Sequence, residues 1–247
     1  MTTNIHIETG MRSVAQQNTA EIVGGPDPAW RGLYKIGGIL AIVYMVLSLI
    51  VPAVMLFLKS YDFNMDVPTL LTFIAQNRLW WIVWQGLILE SSILLIVTYV
   101  ALFVALKHLN NAYAAIGAIV GSVTEILFMA YYPILLGLVY LSDQYVAAAD
   151  AQKTLIAAAA EGLLAQNNAF NPVYEPLFAL SILILSLVML KGVFPKSIAY
   201  LGIATFVACF VGMALWPLVG VGYFWWWLFA LVWFIAVGWK LYQLGAS

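Results

Sequence analysis

Residues 79–106 read LWWIVWQGLILESSILLIVTYVALFVAL, and this stretch decides the fold. It is apolar throughout apart from a few small polar side chains and a single carboxylate, Glu90. It is also longer than the about 20 helical residues that cross a hydrocarbon core of about 30 Å. A strand of a membrane barrel would alternate apolar and polar residues; this run does not, and a helix bonds every backbone amide within its own segment. Working outward, comparable apolar blocks fall at 33–58, 113–141, 170–190, 197–219 and 221–244, which with 79–106 makes six spans. The expected fold is all-α, a polytopic transmembrane bundle of six helices. An extracytoplasmic amphipathic helix is expected between the third and fourth spans.

Composition agrees with lipid as the solvent. Hydrophobic residues make up 64% of the 247-residue chain and charged residues 9%, against about 25% charged in an ordinary soluble domain. A formal net charge of −1 gives no basic field to attract nucleic acid. The one cysteine, Cys209, excludes an intrachain disulfide. Residues 1–32 are polar or small and lack the apolar core of a secretory signal, so they are read as a flexible cytoplasmic tail before a transmembrane domain at 33–245.

Orientation is expected from the distribution of cations. With six crossings, Arg12, Arg31, Lys35, Lys107, Lys191, Lys196 and Lys240 share the side of the tail, and Lys59, Arg78 and Lys153 fall on the other. This excess predicts cytoplasmic termini in a plasma membrane, the inner one in a bacterium. Trp80, Trp81, Trp84 and Trp225 to Trp227 read as an outer aromatic belt, with Trp30, Trp239 and Tyr242 as an inner one. Between the first two spans, 69–75 reads as a short apolar turn against the headgroups. Between the third and fourth, Ser142 or Asp143 reads as the cap of a helix running to about Leu164. The short links at 107–111 and 191–196 make the second and third spans, and the fourth and fifth, antiparallel neighbours.

Two residues stand out within the membrane. Glu90 and Glu125 fall near mid-depth of adjacent spans, where an ionised carboxylate costs several kcal/mol. Gly86 precedes Glu90, and Gly121 precedes Glu125, by four residues, which puts each glycine on its glutamate's face. Gly117 extends the second face into a small-residue track, so Gly86, Gly117 and Gly121 are expected at helix contacts. Two carboxylates close together in a low dielectric cannot both ionise cheaply, so at least one is expected to be neutral near pH 7, unless a bound cation holds both. Ser91, Ser92, Thr98, Thr124 or a backbone carbonyl can hydrogen-bond the protonated form, and Glu90, Glu125, Ser91 and Thr124 are taken as a candidate proton, cation or packing site. Glu175 and Tyr174, near the start of the fourth span, are expected at an outer vestibule open to water, and the prolines at 172 and 176 distort that helix.

Absences narrow the chemistry. The histidines are His6 and His108, both outside the spans, so no paired axial ligands exist for a haem and no HExxH for zinc. No cofactor and no metal are expected, and no nucleophile supports an intramembrane enzyme. The function this suggests is a proton- or cation-coupled carrier of a small molecule. The alternative is a non-transporting partner subunit or sensor whose glutamates only set helix packing. Neither the ligand nor the oligomeric state is legible.

Taken over 32–244, the chain resembles the membrane family called domain of unknown function 4386, small bacterial proteins with six predicted spans. The resemblance is carried by Tyr34-Lys-Ile-Gly-Gly38, by Ala105-Leu-Lys-His108, by Ser142-Asp-Gln-Tyr-Val146, and by Gly192-Val-Phe-Pro-Lys196 leading to Leu201-Gly202. It implies a multi-pass protein of a bacterial inner membrane and brings no activity or catalytic residue. The long polar tail and high tryptophan content depart from the family pattern.

Overall fold

The computed structural model describes residues 25–54, 65–219 and 225–247. Its elements are α1 (Arg31–Ala53), α2 (Val67–Gln76), α3 (Arg78–Leu106), α4 (Asn111–Tyr131), a 3-10 turn (Tyr132–Leu136), α5 (Gly137–Ala147), α6 (Asp150–Met189), α7 (Lys196–Val219) and α8 (Trp227–Ala246). No strand occurs among the described residues. Six helices are long and apolar enough to cross a membrane: α1, α3, α4 with its continuation through α5, α6, α7 and α8. The chain is therefore a multi-pass membrane protein with an all-α fold. Residues 1–24 of the expected tail, and Lys59 and Asp62, lie outside the described residues. The rest of that tail is already structured: Asp27 accepts a hydrogen bond from the Ala29 amide at 2.9 Å and caps a 3-10 turn, Pro28–Trp30, that leads straight into α1.

The six spans close into a ring. Each packs on the next in the order α1, α3, α4, α6, α7, α8, and α8 returns to α1. Large side chains such as Ile36, Val46, Ile119 and Val207 are about half exposed on its outside, as a lipid solvent allows. Tyr99, Phe178 and Phe234 fill its middle without exposure. Their rings meet there, Phe234 lying 6.2 Å from Tyr99 and 5.7 Å from Phe178, at separations where aromatic pairs each contribute about 0.5–1.5 kcal/mol beyond area burial.

Glycines set how closely the ring closes. A Cβ on Gly38 would collide with the Gly238 carbonyl and stand 2.6 Å from the Tyr242 amide, and one on Gly245 would stand 2.6 Å from the Arg31 carbonyl. Backbone thus meets backbone where α1 crosses α8. Thr98 adds a polar tie between α3 and α1, its hydroxyl lying 3.1 Å from the Gly37 carbonyl and 3.0 Å from Leu94 O in its own helix. Trp233 Nε1 donates to Ser186 Oγ at 3.1 Å across the far side of the ring.

A second, smaller core sits on one end. Helix α6 has 40 residues and is about 60 Å long at 1.5 Å per residue, twice the hydrocarbon thickness. Its first turns, with α2, α5 and the start of α3, enclose Leu70, Leu71, Ile74, Trp81, Leu138 and Ala160. The helix expected between the third and fourth spans is therefore present, but in two pieces. Ser142 and Asp143 lie inside α5 and do not begin it; Ser142 Oγ donates to Val139 O at 2.7 Å. The break comes at Ala148 and Ala149, and the second piece continues without interruption into the fourth span. Ile156, Leu163 and Tyr145 face this small core as the amphipathic pattern requires. Residues 69–75 belong to α2, which Asp66 caps by accepting from the Thr69 amide at 3.0 Å.

The outer belt is largely not a belt. Trp81 is buried in the small core, Trp226 is buried in the main one, and Trp80 and Trp225 remain exposed. At the opposite end Trp30 and Trp239 are exposed, and Lys107 lies over the Trp30 ring at 5.6 Å. The short links do pair α3 with α4 and α6 with α7. The α6–α7 link turns through Gly192 at φ 135° and Val193 at φ 67°, a region β-branched residues rarely adopt.

Candidate functional site: a buried polar layer around Glu125

Counted along each helix at 1.5 Å per residue, six polar side chains lie about 20 Å from the helix ends that share the C-terminal face of the ring. They are Tyr44 on α1, Ser92 on α3, Glu125 on α4, Tyr174 and Glu175 on α6, and Cys209 on α7, and all are buried. Five of the six spans thus contribute to one level of the bundle. Glu125 faces inward because its helix is amphipathic in the membrane sense: Ala114, Ala118, Gly121 and Glu125 turn to the core while Ile119, Val123 and Ile126 face out.

Glu125 has no exposed surface, and neither carboxylate oxygen has a hydrogen-bond partner. Ser92 lies within reach of it as a hydrogen-bond partner, though outside strict hydrogen-bond geometry. Tyr44, Tyr99 and Tyr174 lie within electrostatic range of the carboxyl. Glu175 is in range of Tyr174 and of Cys209. Tyr99 and Ser181 share a hydroxyl–hydroxyl hydrogen bond of 3.2 Å, about two turns toward the C-terminal face. Aromatic rings surround the layer: Tyr174 stacks on Phe178 at 5.8 Å and meets Phe128 at a tilt at 4.8 Å, and Tyr44 meets Phe234 at 6.0 Å. Among the described residues every Lys, Arg and His lies within about two helical turns of a helix end, so none of these cations reaches this level.

The expected site residues are distributed as follows. Glu125 is where the sequence placed it. Glu90 is on α3 two residues before Ser92, and its side chain lies outside the described residues. Ser91 is buried. Thr124 is buried too, but its hydroxyl donates to Val120 O of its own helix at 2.7 Å, so it does not serve the carboxyl. Gly121 and Gly117 are close contacts: a Cβ would stand 2.5 Å from the Tyr99 ring at the first and 2.8 Å from Leu185 at the second. Gly86 is a correction, since nothing lies within 4 Å of its Cβ position and no helix uses it for close approach. Glu175 and Tyr174 are another. They are 2% and 6% exposed, because α6 runs on for 24 residues before Tyr174 and covers what the sequence read as a helix start.

Sequence reasoning missed Tyr44 and the level shared by five helices. Tyr44 follows Tyr34 and Ala41 on the inward stripe of α1, a pattern visible in principle, but only the ring order brings that stripe to Glu125. Among the described residues no group of three or more His, Cys, Asp or Glu is arranged to hold a metal ion. Compared with known proteins, the chain matches no family model, no curated protein and no solved structure.

Proposed function

We propose that this membrane protein is a proton-coupled carrier in which Glu125 holds and releases the coupling proton. The supporting observation is the Glu125 carboxyl itself, fully buried with both oxygens unpartnered. Burying an ionised carboxylate without a partner costs several kcal/mol even on the lowest membrane scales. Such a group is stable as the neutral acid, and its position amid Tyr44, Ser92, Tyr99 and Tyr174 supplies hydroxyls that can pass a proton on. A proton fits this layer better than a metal ion, since no group of three or more His, Cys, Asp or Glu among the described residues is arranged to hold one. The role of the glutamate as plain packing glue is less favoured, since Ser92 alone stands near enough to bond it and neither oxygen is in hydrogen-bond geometry.

The orientation proposed is cytoplasmic termini in a bacterial inner membrane. It is supported by Arg31, Lys35, Lys107, Lys191, Lys196 and Lys240 at the end of the ring that carries the C-terminus, against Arg78 and Lys153 at the other. Membership of the domain of unknown function 4386 family is likewise proposed. Two of its segments have structural roles: Gly37 and Gly38 pack α1 on its neighbours, and Gly192-Val193 form the positive-φ turn.

The test is proton entry into pyranine-loaded proteoliposomes under an imposed potential. The wild-type protein is expected to acidify the lumen faster than empty vesicles, and Glu125→Gln to remove that excess. Equal rates for wild type and Glu125→Gln would overturn the proposal.

A further inference from the structure

The two ends of the ring treat their cations differently. At the end away from the C-terminus, Arg78 pairs with Asp143 at 3.4 Å and Lys153 with Asp150 at 3.0 Å. At the other end stand Arg31, Lys35, Lys107, Lys191, Lys196 and Lys240, and among the described residues none of them is in an ion pair. The one described carboxylate at that end, Asp27, caps the turn before α1. Two of these cations share a seam. A Cβ on Gly245 of α8 would stand 2.6 Å from the Arg31 carbonyl and from the Lys35 amide nitrogen. Arg31 and Lys35, one turn apart, therefore lie on the stripe of α1 that faces α8, and both are exposed. Lys35 Nζ is 5.8 Å from the centre of the Tyr242 ring, a cation–π distance. Exposed Trp239 stacks on that same ring at 6.0 Å and 22°. Deeper in the membrane, Ile39 and Val43 of α1 and Val232 and Ile235 of α8 are exposed on the outside of the bundle.

We infer that the α1–α8 seam at this end binds an anionic phospholipid, its phosphate held by Arg31 and Lys35 and its acyl chains lying along Ile39, Val43, Val232 and Ile235. Charge complementarity carries the inference: two exposed cations one turn apart, without a carboxylate between them, meet a bilayer surface whose anionic lipids attract such residues. The Arg31 guanidinium offers a planar fork of donors that matches a phosphate, and the Lys35 ammonium adds a point charge beside it. The Trp239–Tyr242 pair belongs at the depth just below, since indole and phenol rings settle between acyl chains and headgroups. Gly38 and Gly238 bring the two backbones together at the next turn inward, which holds the four side chains of the head end in register. The inference needs this end of the ring to lie at the membrane surface; it does not depend on Glu125 or on transport.

The experiment is native mass spectrometry of the full-length protein released from detergent micelles that contain equal amounts of phosphatidylglycerol and phosphatidylcholine with matched acyl chains. The wild-type protein is expected to retain phosphatidylglycerol in preference. Arg31→Gln and Lys35→Gln are each expected to lower that preference about fivefold, and the double variant by more than tenfold. Lys196→Gln, exposed at the start of α7, is expected to bind as wild type. In case the glutamine variants misfold, the unaltered protein is read at rising ammonium acetate, where screening should weaken the preference. Equal retention of the two lipids by the wild type, a preference unchanged in the double variant, or one indifferent to salt would overturn the inference. So would an equal loss in Lys196→Gln, which would spread the attraction over the whole end of the ring. Displacement of the lipid by an equal concentration of glycerol 3-phosphate would also overturn it, in favour of a site for a soluble phosphate.

Discussion

Replacing Gly38 by alanine tests the ring closure that encloses the polar layer. The new methyl would be built into the Gly238 carbonyl, 2.6 Å from the Tyr242 amide nitrogen and 3.1 Å from Tyr242 Cα. Unstrained carbon contacts lie at about 3.5–4.0 Å, so α1 and α8 must separate by on the order of 1 Å. The obstacle is backbone and has no rotamer to adopt. Overpacking of this kind costs about 1–3 kcal/mol, and the upper end applies here. Alanine recovers up to about 1 kcal/mol over glycine in a helix, which leaves a net loss of about 2 kcal/mol. Gly86→Ala is the matched control. With nothing within 4 Å of its Cβ position, it is expected to gain up to about 1 kcal/mol. Equilibrium unfolding in mixed detergent micelles reads both. The reasoning fails if Gly38→Ala is as stable as wild type, and fails doubly if Gly86→Ala is the destabilised member.

Thr98→Val removes the hydroxyl shared with the Gly37 carbonyl at nearly constant volume. It should cost about 0.6 kcal/mol, the usual size of a hydrogen bond between membrane helices, in the same unfolding assay. Gly192→Ala should cost about 1–3 kcal/mol through backbone strain alone, since φ is 135° there and no atom lies near the added methyl; thermal unfolding of the purified protein measures it. At the α2 cap, hydrogen bonds from Thr69 hold the Asp66 carboxyl below its ordinary range. The cap's contribution is therefore complete above the usual aspartate value of about 4 and disappears as pH falls through the lowered native value. Exchange protection of the Thr69 amide should drop in Asp66→Ala at neutral pH and persist in Asp66→Asn, which still accepts the bond.

The spans were legible because lipid imposes a long, unbroken apolar run on every crossing, as in 79–106. Helix α6 was not. Gln166, Asn167, Asn168 and the prolines at 172 and 176 read locally as a loop followed by a distorted helix start, and packing against α5 and α7 carries the helix through them. Tertiary burial here outweighs local propensity. The same cause buried Glu175 and removed Trp81 from the headgroup belt. Glu125 was legible because one carboxylate in a span has few explanations. Ser92 was legible as a hydroxyl that could partner it, but Tyr44 was not, because a tyrosine is unremarkable in an apolar helix until the ring order aligns it. Gly86 failed as a contact where Gly121 succeeded, at the same spacing from a glutamate. A spacing of four assigns a face to a glycine but leaves open which helix, if any, lies against it.

Infrared difference spectroscopy of the protein in bilayers near neutral pH, comparing wild type with Glu125→Gln, measures the state of the buried carboxyl directly. The account predicts a carbonyl stretching band of a protonated carboxylic acid in the wild type that is missing from the variant. A wild-type spectrum lacking that band, or one in which Glu125→Gln leaves it unchanged, would contradict it.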